Sequence, residues 1–209
     1  PGAVFARLKE LMSIMSNIVH KHRGVVDKNL GDGMLAYFGY HPGRSENIAN
    51  HGQAAVQCAR EIQLETAREF LRDRTTWPDP FRFRIGINTG SVYVGDIGDE
   101  RRLELTVIGD GVNYAKRLEE ICETSRIMLG PATFDLLPEA LRNDRHLRKR
   151  FIQIKHHAEP IEAIEWDVFG DALDLRRELE SVERAEMEQR RSDFRWPVPH
   201  ETQLAGVTR

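Results

Sequence analysis

The sequence predicts an α+β domain, with helices packed against a sheet, on three observations. Apolar residues recur at helical spacing over 3–22, 45–71 and 109–122. Residues 25–30 and 34–38 read as two short strands either side of Gly31-Asp32-Gly33, a tight hairpin signal. Phe81, Phe83, Ile85 and Ile87 alternate with Arg82, Arg84, Gly86 and Asn88, the period of a half-buried strand.

Each element has its own warrant. Phe5, Leu8, Met12, Met15 and Val19 mark one face of the first helix. His20, Lys21, His22 and Arg23 suit its negative end, and Gly24 stops it. His41-Pro42-Gly43-Arg44 breaks the chain before the helix over 45–71, which carries Ile48, Ala55, Cys58, Ala59, Ile62 and Ala67 near one face. Trp77-Pro78-Asp79-Pro80 is a loop. Thr89-Gly90 turns the chain into a strand that starts at Val92 and Val94. The helix over 109–122 is expected to bury Val112, Ala115, Leu118 and Ile121, with Asp110 as its cap. Gly90, Gly95, Gly98 and Gly109 read as turn and helix-entry glycines. A strand over 127–129, a short helix opened by Pro131, and a strand pair over 150–155 and 161–169 follow.

Beyond Gly170 the composition shifts to Arg and Glu with interspersed Leu173, Leu175, Leu179, Val182 and Met187. This predicts a charged helix that lies on the domain, lies on a partner chain, or stands in solvent. Residues 193–209 hold two prolines and little apolar periodicity, so they read as a loose tail. The expected division is therefore a domain over 1–170 and an appendage over 171–209. At 209 residues the chain can bury a full core without staples. Thirty Lys and Arg against 33 Asp and Glu leave a formal charge of -3, which argues against bulk attraction to nucleic acid or anionic lipid. Cys58 and Cys122 have no metal-ligand spacing and read as reduced packing thiols, which suits a cytoplasmic setting.

Two segments carry the chemistry. One is Val25-Val26-Asp27-Lys28-Asn29-Leu30-Gly31-Asp32-Gly33-Met34-Leu35-Ala36-Tyr37-Phe38-Gly39. The other runs from Arg84-Ile85-Gly86-Ile87-Asn88-Thr89-Gly90 to Thr106-Val107-Ile108-Gly109-Asp110-Gly111-Val112-Asn113-Tyr114-Ala115-Lys116-Arg117-Leu118-Glu119. In order and spacing they resemble the catalytic domain of a class III nucleotidyl cyclase, over roughly residues 4–169. The resemblance implies a ferredoxin-like, palm-type sheet, mixed but mainly antiparallel. It also implies cyclisation of ATP or GTP, two divalent ions (Mg²⁺ or Mn²⁺), and a homodimer whose two chains complete each other's sites.

Cyclisation attacks the α-phosphate with the nucleotide's own 3′-hydroxyl, so the protein must hold metals, read the base and neutralise developing charge. Asp32, flanked by glycines, matches the family's second metal-binding aspartate, although Asp-Gly is also an ordinary hairpin turn. Asp27 lies on the wrong side of the motif to serve as the other. The resemblance places that partner in a Phe-x-Asp strand before Pro1, so the 209 residues alone are expected to show little or no cyclase activity. An upstream sensor or membrane module is expected of the parent protein. Lys28 and Thr106 match the base-reading pair: a donor for adenine N1, and an acceptor for the exocyclic amine where many relatives carry Asp. Guanine would reverse both polarities, so Lys28 points to ATP. Asn113 and Arg117, four apart on one helix face, match the pair that fixes the ribose and the transition-state charge. Lys155 lies in Ile154-Lys155-His156-His157-Ala158-Glu159-Pro160-Ile161, which resembles a segment that reaches the triphosphate. A lysine exposed on an edge strand reads equally well there. The reading is an adenylate cyclase. The alternatives are a nucleotide-binding regulatory domain without catalysis and a guanylate cyclase.

Overall fold

The computed structural model describes residues 2–41, 50–74, 82–99, 102–153 and 160–193. Expectations for 42–49, 75–81, 154–159 and 194–209 lie outside these residues, and Lys155 is among them. In chain order the elements begin with α1 (Gly2–Lys21), β1 (Val25–Leu30), β2 (Gly33–Tyr37) and α2 (His51–Arg72). Next come β3 (Arg84–Ile87), β4 (Tyr93–Asp99), β5 (Arg102–Ile108), α3 (Asp110–Ile121) and β6 (Arg126–Leu129). Last are α4 (Pro131–Asp135), α5 (Glu139–Arg142), β7 (Leu147–Ile152), β8 (Ile161–Trp166) and α6 (Leu173–Asp193).

The largest sheet has the order β3-β6-β8-β7. β3 and β6 run parallel, Arg84 opposite Arg126 through Ile87 opposite Leu129. The other neighbours are antiparallel. A parallel pair needs a crossover, and here β4, β5 and α3 supply it. Hairpins β1-β2 and β4-β5 form two further antiparallel pairs. The mixed, mainly antiparallel α+β architecture expected from the sequence is the one observed.

Helices cover both faces of the four-stranded sheet. On β6, Ile127 and Leu129 pack with Val56, Ala59 and Leu64 of α2. Met128, between them, joins Leu118, Cys122 and Ala163 on the opposite side. Burial on both faces is why this strand reads as an unbroken apolar run rather than an alternation. α2 is itself buried on two sides. Its other flank meets Leu11, Met15, Ile18 and Val19 of α1 through Cys58, Ile62 and Phe70, with Val26, Met34, Ala36 and Phe38 of the first hairpin alongside. Gln63 on α2 is buried, and its Nε2 donates to the carbonyls of Phe83 (3.0 Å) and Arg126 (3.3 Å). Glu61 accepts from Lys21 Nζ at 2.6 Å and meets His22 Nε2 at 2.8 Å. The Lys21 hydrogen bond leads in holding this carboxyl below its ordinary pKa.

Of the three placements open for the charged C-terminal helix, the structure takes the first. Leu175 and Leu179 of α6 pack on the α2–sheet cluster, and Val182 packs on the α1–α2 cluster. Arg176 pairs with Asp167 at 3.1 Å, and Glu183 pairs with Arg82.

Several local expectations are corrected. Gly95 and Gly98 lie inside β4, opposite Thr106 and Leu103, because a full ladder with β5 overrides their turn preference. Asp110 is the first helical residue of α3 rather than its cap. Gly109 takes the cap position at φ +151°, and its carbonyl accepts from Val112 N at 3.0 Å. Of the apolar stripe on α3 only Leu118 is fully buried; Val112, Ala115 and Ile121 are half-buried. The reason is the approach of α3 to β3 through backbone. A Cβ placed on Gly86 would sit 2.3 Å from the Ala115 carbonyl oxygen and 2.3 Å from the Glu119 nitrogen. The strands of the closing pair are at 147–152 and 161–166, the second ending where Asp167 turns the chain by accepting from Phe169 N.

Neither backbone at the Gly86 contact can yield without moving the helix. Gly86→Ala is therefore expected to destabilise by about 3 kcal/mol, read as a lower urea midpoint with an unchanged slope.

Candidate active site

The first hairpin turns at Gly31-Asp32 between the paired residues Leu30 and Gly33. Gly31 adopts φ +68° at the first central position, which glycine accepts without strain. Asp32 follows at the tip, exposed, and no described side chain pairs with it. Its carboxylate offers the hard oxygen that Mg²⁺ takes when substrate phosphates and water complete its shell.

β1 carries an irregularity between Val26 and Lys28. Val26 pairs with Ala36 and Lys28 with Leu35, so Asp27 is the extra residue of a bulge. Its side chain reaches β5 instead of the ladder. Asp27 Oδ2 accepts from Thr106 Oγ1 at 2.9 Å, and Oδ1 accepts from Val107 N at 3.2 Å. Lys28 Nζ lies 3.5 Å from the same Oδ2. Lys28 and Thr106, the candidate base readers, are thus brought together by one carboxylate. The Lys28 side chain is 33% exposed and Thr106 is 6% exposed. Sequence reasoning set Asp27 aside. The available signal was a carboxylate inside Val25-Val26-Asp27, where strand composition disfavours it and a buried acid needs partners.

β5 feeds directly through Gly109 into α3, so Thr106 stands on the strand that delivers Asn113 and Arg117. Asn113 is exposed on the first turns of α3, and Arg117, one turn on, is half-buried. Asn88 locks this junction. Its Nδ2 donates to the Gly111 carbonyl at 3.3 Å, and its Oδ1 lies 2.5 Å from where a Cβ on Gly130 would stand. Thr89 and Thr133 share a hydroxyl hydrogen bond at 2.9 Å beside it. Asn88 and Thr89 entered the sequence reading only as strand alternation and turn. Their pattern, polar residues ending an apolar strand just before a glycine, was visible but not assigned.

Two other polar groups stand out. The Tyr37 hydroxyl is buried without a hydrogen-bond partner among the described residues, and its pKa is raised by burial first and by the Asp27 charge second. Asp144, His146 and Asp171 cluster closely enough to suggest a metal site. Their atoms are already committed: Asp144 accepts from His146 N and Trp166 Nε1, and Arg145 Nε donates to His146 Nε2 at 3.0 Å. A guanidinium at that point repels a cation.

A sheet with helices on both faces, a hairpin-tip aspartate and a strand-to-helix segment bearing Thr, Asn and Arg define a nucleotidyl cyclase type of domain. The chain belongs to the adenylate and guanylate cyclase catalytic-domain family, whose model matches residues 1–159. It is 32% identical over 121 residues to adenylate cyclase 1 of Rhizobium meliloti (strain 1021), covering 57% of this chain and 17% of that protein. It is 31% identical over 116 residues to the terminal-differentiation-specific adenylate cyclase of Dictyostelium discoideum, covering 54% and 5%. The matched stretch is thus a small part of each relative's length. Among solved structures it is similar to the guanylyl cyclase Cya2 (TM-score 0.67, 28% identity, 79% of this chain and 81% of that one). It is similar to a nearly equal degree to the adenylyl cyclase CyaB from P. aeruginosa (TM-score 0.66, 27% identity, 79% and 83%). Backbone likeness therefore does not discriminate the two bases. No described helix is long and apolar enough to cross a membrane.

Burial pushes the Cys58 thiol up to about 12 and the Cys122 thiol up to about 11. Neither is expected to take up iodoacetamide in the native protein at pH 8, while both label at once in denaturant, as intact-mass measurement would record.

Proposed function

We propose that this chain is the catalytic domain of an adenylate cyclase that converts ATP to 3′,5′-cyclic AMP and pyrophosphate as a homodimer. The observation that carries the reading is the convergence of Lys28 and Thr106 on Asp27. An ammonium and a hydroxyl held side by side match the acceptor N1 and the donor amine of adenine; guanine would meet each with the wrong polarity.

The remaining residues divide the reaction. Asn113 hydrogen-bonds the ribose and aligns its 3′-hydroxyl with the α-phosphate. Arg117 spreads positive charge over the phosphate oxygens as the pentacoordinate phosphorus forms, and Lys155 neutralises the departing pyrophosphate. Asp32 would hold divalent ions, Mg²⁺ or Mn²⁺; when bound they polarise the α-phosphate and acidify the 3′-hydroxyl. In the homodimer, Asp32 of one chain serves the site that holds Asn113 and Arg117 of its partner.

The test is a cyclic-nucleotide assay on the full-length protein. Asn113→Ala is expected to lower kcat by about 10²–10³ with little change in KM for ATP. Lys28→Glu is expected to abolish selective use of ATP, and an ATP-to-GTP preference unchanged in that variant would refute the base assignment. Mixing inactive Asp32→Ala and Asn113→Ala proteins is expected to restore about a quarter of wild-type turnover, because half the dimers then hold one intact site of two. No recovery after subunit exchange would refute the shared site.

A further inference from the structure

Asp27 has no role in the reaction outlined above, yet its placement is costly. Its side chain is 0% exposed, on a bulge directly after Val25 and Val26. A carboxylate in such a place must be fully hydrogen-bonded or it destabilises the fold. Both oxygens are engaged, and the partners are informative. Oδ1 receives the backbone proton of Val107. Oδ2 faces the Lys28 ammonium at 3.5 Å and the Thr106 hydroxyl at 2.9 Å. An amide nitrogen only donates, and an ammonium repels a proton on the oxygen it faces. With both oxygens turned to donors, the Thr106 hydroxyl is the donor in its bond with Asp27.

A hydroxyl has one hydrogen to give. Once Asp27 holds it, Thr106 Oγ1 presents only lone pairs to anything else that approaches. We infer that Asp27 is the specificity-setting residue of the base site: it fixes Thr106 as an acceptor and steers the Lys28 ammonium, so that the pair reads a 6-amino purine and rejects a 6-oxo purine. This deepens the adenylate cyclase reading and rests on it. Free, a threonine hydroxyl is ambidextrous and would accept either base; tied to a carboxylate, it is not. Asp27 acts through its two neighbours, as a positioning residue.

The experiment compares kcat/KM for ATP and for GTP on the full-length enzyme, in wild type and in Asp27→Asn. The Asn side chain has the same shape, but its amide can donate to Thr106 and free the hydroxyl hydrogen for a 6-oxo group. The ratio is expected to move toward GTP by about tenfold or more, since a site built to bond one polarity strongly rejects the other. Both rates come from one preparation, so the ratio is insensitive to the fraction folded. If turnover is too low, equilibrium binding of fluorescent ATP and GTP analogues reads the same ratio. Combining Asp27→Asn with Thr106→Asp is expected to return the ratio toward wild type by restoring the carboxylate at residue 106. If Asp27→Asn lowers both efficiencies equally while Lys28→Glu and Thr106→Ala change the ratio, Asp27 is merely structural and the inference fails alone. If none of the three changes the ratio, the base assignment itself falls and takes the inference with it.

Discussion

The burial of α2 on two opposite flanks is the constraint on which the other elements depend. One flank closes over Ile127, Leu129 and Ile164 of the sheet, the other over α1 and the first hairpin. Remove α2 and the hairpin carrying Asp27, Lys28 and Asp32 loses the apolar surface that Val26, Met34, Ala36 and Phe38 pack on. Fully burying a Leu, Ile or Phe side chain is worth roughly 1.5–3 kcal/mol, and among the described residues α2 contributes more buried apolar side chains than any other element. Gln63 adds direction. Its amide joins the entrances of β3 and β6, and so sets where the helix sits along the sheet as well as how tightly.

A second close approach positions the chemistry. Because residue 86 lacks a side chain, α3 rests on β3 main chain to main chain. Asn88 and the extended-left cap at Gly109 then fix where the helix begins. The consequence is that Asn113 and Arg117 ride on a helix whose height, start and rotation are set by small residues and one amide. Bulky side-chain packing contributes little there, as the half-buried Val112, Ala115 and Ile121 attest.

The sequence was most legible where period and turn chemistry agreed. The helix over 2–21, the hairpin around Gly31-Asp32 and the strand at 126–129 have strong local signals and stand where their patterns put them, while of the alternation over 82–88 only 84–87 forms strand. Gly95, Gly98 and Asp110 misled because their local preference was outweighed by pairing with a distant strand and by a glycine able to do the capping. The placement of α6 was undecidable locally: Leu175, Leu179 and Val182 form a face, but what covers a face depends on the rest of the chain. At the site, motif spacing identified residues but not their partners. The tie from Asp27 to Thr106 crosses two hairpins, and no periodicity of either strand announces it.

That tie also bears on how the molecule comes into being. Asp27 and Thr106 are 79 positions apart in the chain, and β3 meets β6 only after β4, β5 and α3 have passed between them. Contacts of such long span must close large loops before they repay the lost chain freedom, which slows folding and places them late. The helices and local hairpins can collapse early, while the tie between Asp27 and Thr106 is among the last contacts to close. A nascent or partly unfolded molecule would therefore hold the secondary structure of the domain before that polar contact between distant strands exists.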